Sequence, residues 1–138
     1  MSSATKSSTL GGLSEAIETD PRTASLKVEI VYADLDDDSQ QVIIEGAVAA
    51  INKFVFAPTR KQATSTDEVV DRPLLEREVE RTGMIGMSEI IKKYADEKLG
   101  PCWHAAYGRS FATFVTHERM SFMHFRVNDA DVVVWKHG

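Results

Sequence analysis

The four histidines, His104, His117, His124 and His137, are the side chains best suited to proton transfer or metal binding near neutral pH. Their spacings match no compact ligand motif, and each falls in or beside a β-rich run. Packing, groove or interface roles are therefore expected of them in place of a metal site. His117-Glu118 has the composition of half a general acid/base pair, but adjacent strand residues point to opposite faces and no nucleophile stands near them in sequence. Asp34, Asp36, Asp38 and Glu45 fall at the first, third, fifth and twelfth places of a calcium-loop template. The template fails at Ser39, where the sharp turn needs Gly, and at Val42, where helical periodicity has already begun, so these carboxylates read as helix N-capping. Trp103 and Trp135 sit among apolar neighbours that favour core or interface packing over ligand stacking. Gly83-Met-Ile-Gly86 is too short for a phosphate loop and lacks the following Lys-Ser or Lys-Thr. No catalytic residue, metal or cofactor is expected; an enzyme using His104, His117 or His124 would need a pocket with convergent polar groups.

The elements that must position these residues belong to a chain of 138 residues, one domain's worth. Hydrophobic residues at 43% and charged residues at 27% exclude a wholly disordered chain. A net charge of -5 and a pI near 5.3 do not favour nucleic acid or an anionic membrane as partner. The single Cys102 excludes an internal disulfide and any multi-cysteine zinc site, and fits a reducing, intracellular compartment. The N-terminus lacks the apolar core of a signal peptide and no window approaches a membrane span, so a soluble protein is expected.

Residues 1–25 are rich in Ser, Thr and Gly, without a sustained apolar period, and read as a flexible tail. A short strand follows at Leu26–Tyr32, with Leu26, Val28, Ile30 and Tyr32 on one face. An amphipathic helix is expected over Ser39–Phe54, with Ile44, Val48, Ile51 and Phe54 or Val55 on its stripe. Phe56–Asp67, containing Pro58, reads as an exposed loop. A second helical pattern over Asp67–Arg81 contains Pro73, which requires either a start near Arg72 or a kink. Its charges, Glu76-Arg-Glu-Val-Glu-Arg81, suit a solvated face or a docking surface equally. Gly83 and Gly86 punctuate the chain before Ser88 caps a helix over Glu89–Lys98, with Ile90, Ile91 and Tyr94 apolar, that Gly100-Pro101 ends.

The last third is β-rich at Trp103–Tyr107, Ser110–His117, Ser121–Val127 and Asp131–Lys136, joined by connections so short that the strands are antiparallel or exchanged locally. Phe111, Thr113 and Val115 face one way and Ala112, Phe114 and Thr116 the other, so this strand is expected to be covered on both faces, by helices or by another subunit. The fold class is α+β, helices packed on an antiparallel sheet. Two readings of Phe111–Thr116 stand: an internal strand with both neighbours in place, or an edge that recognises an extended peptide through its backbone.

Trp103-His104, Gly108-Arg109-Ser-Phe-Ala-Thr-Phe-Val-Thr-His-Glu118, Phe122 and Lys136-His-Gly138 resemble the small dynein light chain of the hub type. The resemblance extends through Ile90-Ile-Lys-Lys93 and Pro101 and, after a gap, through Val28–Phe54, leaving the tail of residues 1–25 and an insertion at about 55–82 outside it. It implies a domain over residues 26–138 with two main helices on an antiparallel sheet, dimeric, with a strand exchanged between subunits. It further implies that Phe111, Ala112, Thr113, Phe114, Val115 and Thr116 pair with a peptide backbone while His117, Phe122, His124 and Arg126 line pockets, and that Lys93, His104, Phe114 and Thr116 lie at the dimer interface. The implied partners are a dynein intermediate chain and another light chain of the same family, as homo- or heterodimer, with no nucleic acid and no membrane. The implied place is the cytoplasm and cytoskeleton, with cilium or flagellum axoneme as the more specialised setting.

Family members usually carry Tyr where His124 and Arg126 stand, Gly where Ala112 stands, and a charged segment beginning the second helix where this chain has Met84-Ile-Gly86. His137 replaces a serine associated in the family with regulatory phosphorylation. Together with the insertion, these departures point to a dedicated subunit, such as an axonemal outer-arm light chain. The alternative is a general peptide-binding adaptor or inhibitor hub unrelated to dynein.

Overall fold

Residues 21–64 and 72–137 are described in the computed structural model; residues 1–20, the greater part of the expected tail, lie outside the described residues. Pro21–Ser25, which the sequence assigns to that tail, forms a 3-10 turn. It is held because the Arg22 guanidinium donates to the Glu76 carboxylate and to the Phe56 carbonyl, with its charge 4.4 Å from the centre of the Phe56 ring.

Strand β1 (Val28–Asp34) leads into helix α1 (Asp37–Ile51). Asp36 caps α1: its carboxylate accepts from the Ser39 hydroxyl at 2.7 Å and the Ser39 N–H at 3.0 Å, and these bonds hold the Asp36 carboxyl below the usual carboxylate range. The buried stripe of α1 is Ile43, Ala47, Ala50 and Ile51, with Val48 also buried and Ile44 only partly so. The stripe is centred one position before the expected Ile44, on the small Ala47 and Ala50 that let another layer approach.

The helix does not stop where a loop is expected. A π-turn (Asn52–Phe56), in which the Ala57 N–H donates to the Asn52 carbonyl, passes the chain into helix α2 (Ala57–Thr64). Pro58 thereby falls in the first turn of α2, where a missing N–H is tolerated. The continuous run Asp37–Arg60 is long and apolar enough by composition to cross a membrane, contrary to the sequence reading, yet half of its apolar window is buried inside this fold, as a core helix should be.

Helix α3 (Arg72–Leu99) begins at Arg72 and so places Pro73 in its first turn, one of the two alternatives left open by the sequence. It then runs through Gly83 and Gly86 without a break, and Ser88, expected as a cap, instead donates its hydroxyl to the Met84 carbonyl within the helix. The glycines serve packing: a Cβ on Gly83 would meet Phe54 Cβ at 3.2 Å, and one on Gly86 would lie 2.6 Å from the Phe54 ring. Gly100, at φ 83°, ends α3 with its N–H on the Asp96 carbonyl at 3.0 Å. Burial pushes the Asp96 carboxyl up, but bonds from Lys92 and from the Trp103 N–H outweigh it and hold the group low.

Strands β2 (Trp103–Gly108), β3 (Phe122–Val127) and β4 (Ala130–Lys136) complete a four-stranded antiparallel sheet of order β1-β3-β4-β2. Asn128, at φ 54°, makes the tight turn between β3 and β4 and pins the start of β1 through bonds to the Lys27 backbone. Val28 and Ile30 pair with the core-side Val127 and Phe125, but an irregularity between Ile30 and Tyr32 shifts the phase, so Tyr32 pairs with His124 on the opposite face. The expected single face of Leu26, Val28, Ile30 and Tyr32 is therefore split. Both helices α1 and α3 pack on one side of the sheet, where Ile43, Ala47, Met87, Ile91, Trp103, Met123, Phe125, Val132 and Val134 form the core. A two-layer α+β arrangement results, and among the described residues no helix packs on the second face of the sheet.

Candidate functional site

The segment between β2 and β3 is expected to be a strand over Ser110–His117, covered on both faces. Within the chain it is not one: Phe111–Glu118 pairs with no other strand among the described residues, and Phe114 is fully exposed, at 104%. A turn back along β2, an edge strand of the sheet, would fall at Arg109-Ser110. Neither is a Gly or Asn that would supply the positive φ of a tight hairpin, and neither has positive φ here. Arg109 is moreover tied sideways, its guanidinium donating to Glu80 at 2.7 Å and lying 3.8 Å from Asp129.

The segment is fixed at both ends and free between them. At its start the Phe111 ring packs so closely on Gly108 that a Cβ there would approach it to 3.0 Å. At its end Glu118 N–H donates to the Lys136 carbonyl at 2.8 Å and Met120 N–H to the Asp34 carboxylate at 3.0 Å. Between these anchors Ala112, Thr113, Phe114 and Thr116 are exposed, with Val115 half-buried. The result is an arm of strand-forming residues whose backbone forms no ladder on either side among the described residues.

Beside the arm's root, the face of the sheet opposite α1 and α3 gathers several of the sequence-predicted residues. His117 lies against Phe122, ring centres 4.8 Å apart, and Phe122 meets Tyr32 at 5.8 Å. His124 and Arg126 stand two residues along β3 and share a carboxylate: His124 Nε2 is 2.8 Å and Arg126 Nε 3.1 Å from Asp131 Oδ1. Arg126 also reaches to 4.0 Å from Glu29. Asp131 was not singled out from the sequence, although the tight Asn128-Asp129 connection implies it, because that turn sets Arg126 directly opposite Asp131. The arrangement leaves Arg126 half-exposed, with guanidinium donors beyond the one spent on Asp131.

His104 lies on the same face on β2, its ring 5.6 Å from that of Trp135 and its Nε2 3.2 Å from the His137 carbonyl oxygen. Lys93 belongs to the helical layer and pairs with Glu89 at 2.6 Å. Among the described residues no hydrogen bond or ion pair joins Lys93 or His104 to Phe114 or Thr116, so a single chain does not assemble the implied dimer-interface set. No group of three or more His, Cys, Asp or Glu side chains converges as a metal ligand set among the described residues.

A cavity of about 400 Å³ opens elsewhere, between Leu26, Phe56, Glu80, Tyr107 and Val127, and none of His104, His117 and His124 lines it. Its polar centre is structural: the Tyr107 hydroxyl and the Arg109 guanidinium both donate to the buried Glu80 carboxylate. Burial, and then the Glu80 carboxylate, push the Tyr107 hydroxyl far above its ordinary range. Glu45, buried in α1, is likewise raised, mainly by burial, while the Tyr94 hydroxyl donates to it at 2.8 Å. Neither cluster is legible in the sequence, since Glu80 meets Tyr107 and Arg109, and Glu45 meets Tyr94, only through tertiary contacts.

The model of the family described as dynein light chain type 1 matches residues 27–137. A curated relative from Candida glabrata, "Dynein light chain 1, cytoplasmic", is 36% identical over 70 residues, which are 51% of this chain and 72% of the relative. Among solved structures, the dynein light chain-like domain of a Fasciola hepatica calcium-binding protein matches with a TM-score of 0.53 at 18% identity, covering 81% of this chain and 92% of that one. A mercury derivative of the same domain gives 0.52 at 18% identity, covering 80% and 92%. At that identity the structural likeness speaks for the fold, two helices on a four-stranded antiparallel sheet, and the family match over most of the sequence carries the rest. The chain belongs to the dynein light chain type 1 family, and its role is that of a dynein light chain.

Proposed function

We propose that this chain is a non-catalytic light chain that dimerises by exchanging the Phe111–Thr116 arm and binds an extended segment of a dynein intermediate chain along that same arm. The observation that carries the reading is the arm itself: strand-forming, exposed, anchored at both ends, and paired with no strand among the described residues. A lone extended run has two hydrogen-bonding ledges. One ledge completes the open edge of β2 in a second copy, and the other is left for a peptide, which adds as a further strand. Phe122, His117, His124 and Arg126 then form pockets for the peptide's alternate side chains, with Lys93, His104, Phe114 and Thr116 at the contact between copies.

The dedicated-subunit reading, in an outer-arm dynein of cilium or flagellum, rests on how the groove departs from the family pattern. The resemblance implies extended peptide ligands, often with a Thr-Gln-Thr core, whose glutamine meets the beginning of the second helix, where this chain has Met84-Ile-Gly86. In this chain those residues are interior to α3, which starts at Arg72. The backbone N–H groups that a helix start would present there are spent on intrahelical bonds. The hydrogen-bonded Asp131, His124 and Arg126 in turn make the pocket floor polar.

Native mass spectrometry of the tagged protein from its own cells tests both levels. Recovery with a second light chain and a dynein intermediate chain is the expected result. Recovery as a monomer refutes the exchange, and recovery with many unrelated short-motif proteins, together with tight binding of a Thr-Gln-Thr peptide, makes the chain a hub.

A further inference from the structure

The first three turns of α3 form an extension with its own surface. Leu74, Arg77, Glu78, Arg81 and Met84, spaced three or four apart, line a groove of about 370 Å³ closed on one side by Arg109. The groove is apolar at its ends, where Leu74 is 59% exposed, and Arg stems supply apolar area between. It is also positive, with three guanidiniums against the one Glu78 carboxylate. Arg109 is engaged by Glu80 and Asp129, whereas Arg77 and Arg81 are exposed and have no ion-pair partner among the described residues.

We infer that this groove is the docking site of the chain's own N-terminal segment, residues 10–20. Leu10-Gly-Gly-Leu-Ser-Glu-Ala-Ile-Glu-Thr-Asp20 carries Glu15, Glu18 and Asp20 and no basic residue, the charge complement of Arg77 and Arg81. Its three large apolar residues, Leu10, Leu13 and Ile17, recur at intervals of three and four, so all of them meet one surface if the segment coils. The point of entry is fixed next to the groove: Pro21 begins the described 3-10 turn, and Arg22 is held by Glu76, the neighbour of Arg77 on α3. The distance suits as well, since Leu74 to Met84 spans about 15 Å of helix, no more than residues 10–20 cover even when coiled. Tethering at Arg22 makes the encounter intramolecular, so modest contacts suffice.

The test is paramagnetic broadening in the full chain. With Cys102→Ser removing the native thiol, a nitroxide is placed on Ala16→Cys, and the amides of Arg77 to Ile85 and the Met84 methyl are read by NMR. Docking predicts loss of those resonances at any protein concentration, their return in Arg77→Glu/Arg81→Glu, and loss again when Glu15→Arg/Glu18→Arg is added to that variant. Unbroadened resonances in the parent overturn the inference, as does broadening that disappears on dilution with unlabelled chain, which assigns the groove to a second copy. Broadening indifferent to the charge reversal overturns it too, because the arginines then do not select the segment.

Discussion

Phe114→Ala separates the stability of the single chain from that of its dimer. In one chain the Phe114 side chain is wholly in solvent, so its removal takes no contact from the core and leaves no cavity. If the arm docks on a second copy, that ring is withdrawn from water, and burying a Phe side chain is worth about 1.5–3 kcal/mol. A two-fold dimer buries it twice, which brings the expected loss to roughly 3–6 kcal/mol. At 1.4 kcal/mol per decade the dissociation constant rises about 10²- to 10⁴-fold. Sedimentation equilibrium of parent and variant, with thermal melts at concentrations where both are monomeric, reads the two effects apart. A dissociation constant unchanged within about twofold, the error of such comparisons, removes Phe114 from the interface. A monomer that melts earlier is equally damaging, because it requires contacts within the chain that the exposed ring does not make.

Other perturbations test the frame that presents the arm. Gly46→Ala is expected to destabilise the fold by about 1–2 kcal/mol in a denaturant titration despite its gain in helix propensity, because the new Cβ meets Tyr94 Cδ2 at 2.9 Å and Tyr94 Cβ, which cannot swing away, at 3.2 Å. Asp36→Ala removes the cap of α1 and is expected to cost about 1 kcal/mol. Because the folded Asp36 carboxyl lies below its unfolded value of 3.8, its contribution is complete above that value and is lost as pH falls through the lower folded one. A pH series of melts should therefore show the difference between parent and Asp36→Ala closing in acid and constant at neutral pH. Tyr107→Phe deletes a bond to buried Glu80 and is expected to cost about 1–3 kcal/mol at neutral pH, read by the same titration.

Much of this fold was legible because its signals are local. Val28–Asp34, Trp103–Gly108, Phe122–Val127 and Ala130–Lys136 formed nearly where β-rich residues and turn signals put them, and Gly100 ended α3 as its position implied. The errors fell where tertiary contact outweighs local preference. Gly83 and Gly86 are weak helix formers, and a sequence reading breaks the helix there, but the space they leave is filled by Phe54 from the π-turn. Pro58 reads as a stop and is carried by a change of hydrogen-bond register just before it. The site was legible as a list of residues and not as a surface. His124 and Arg126 were found by type and position, whereas the Asp131 carboxylate that joins them comes from pairing across a hairpin.

Phe111–Thr116 marks where a single chain's physics runs out. Its residue types favour strand pairing and burial, yet among the described residues it pairs with no strand, while Arg109 is tied to Glu80 at one end and Glu118 and Met120 are bonded at the other. A run with strong β propensity kept open at both ledges is costly for a solitary protein, because it invites unspecific pairing. The conflict between local demand and intrachain geometry is resolved if the missing neighbours are other chains. The same argument extends to the face of the sheet opposite α1 and α3, on which no helix packs among the described residues. That face carries Tyr32, Phe122, His124, Arg126 and Trp135 beside the arm's root, so among the described residues the unpaired run and this face adjoin, and a partner that engages the run is placed beside the face.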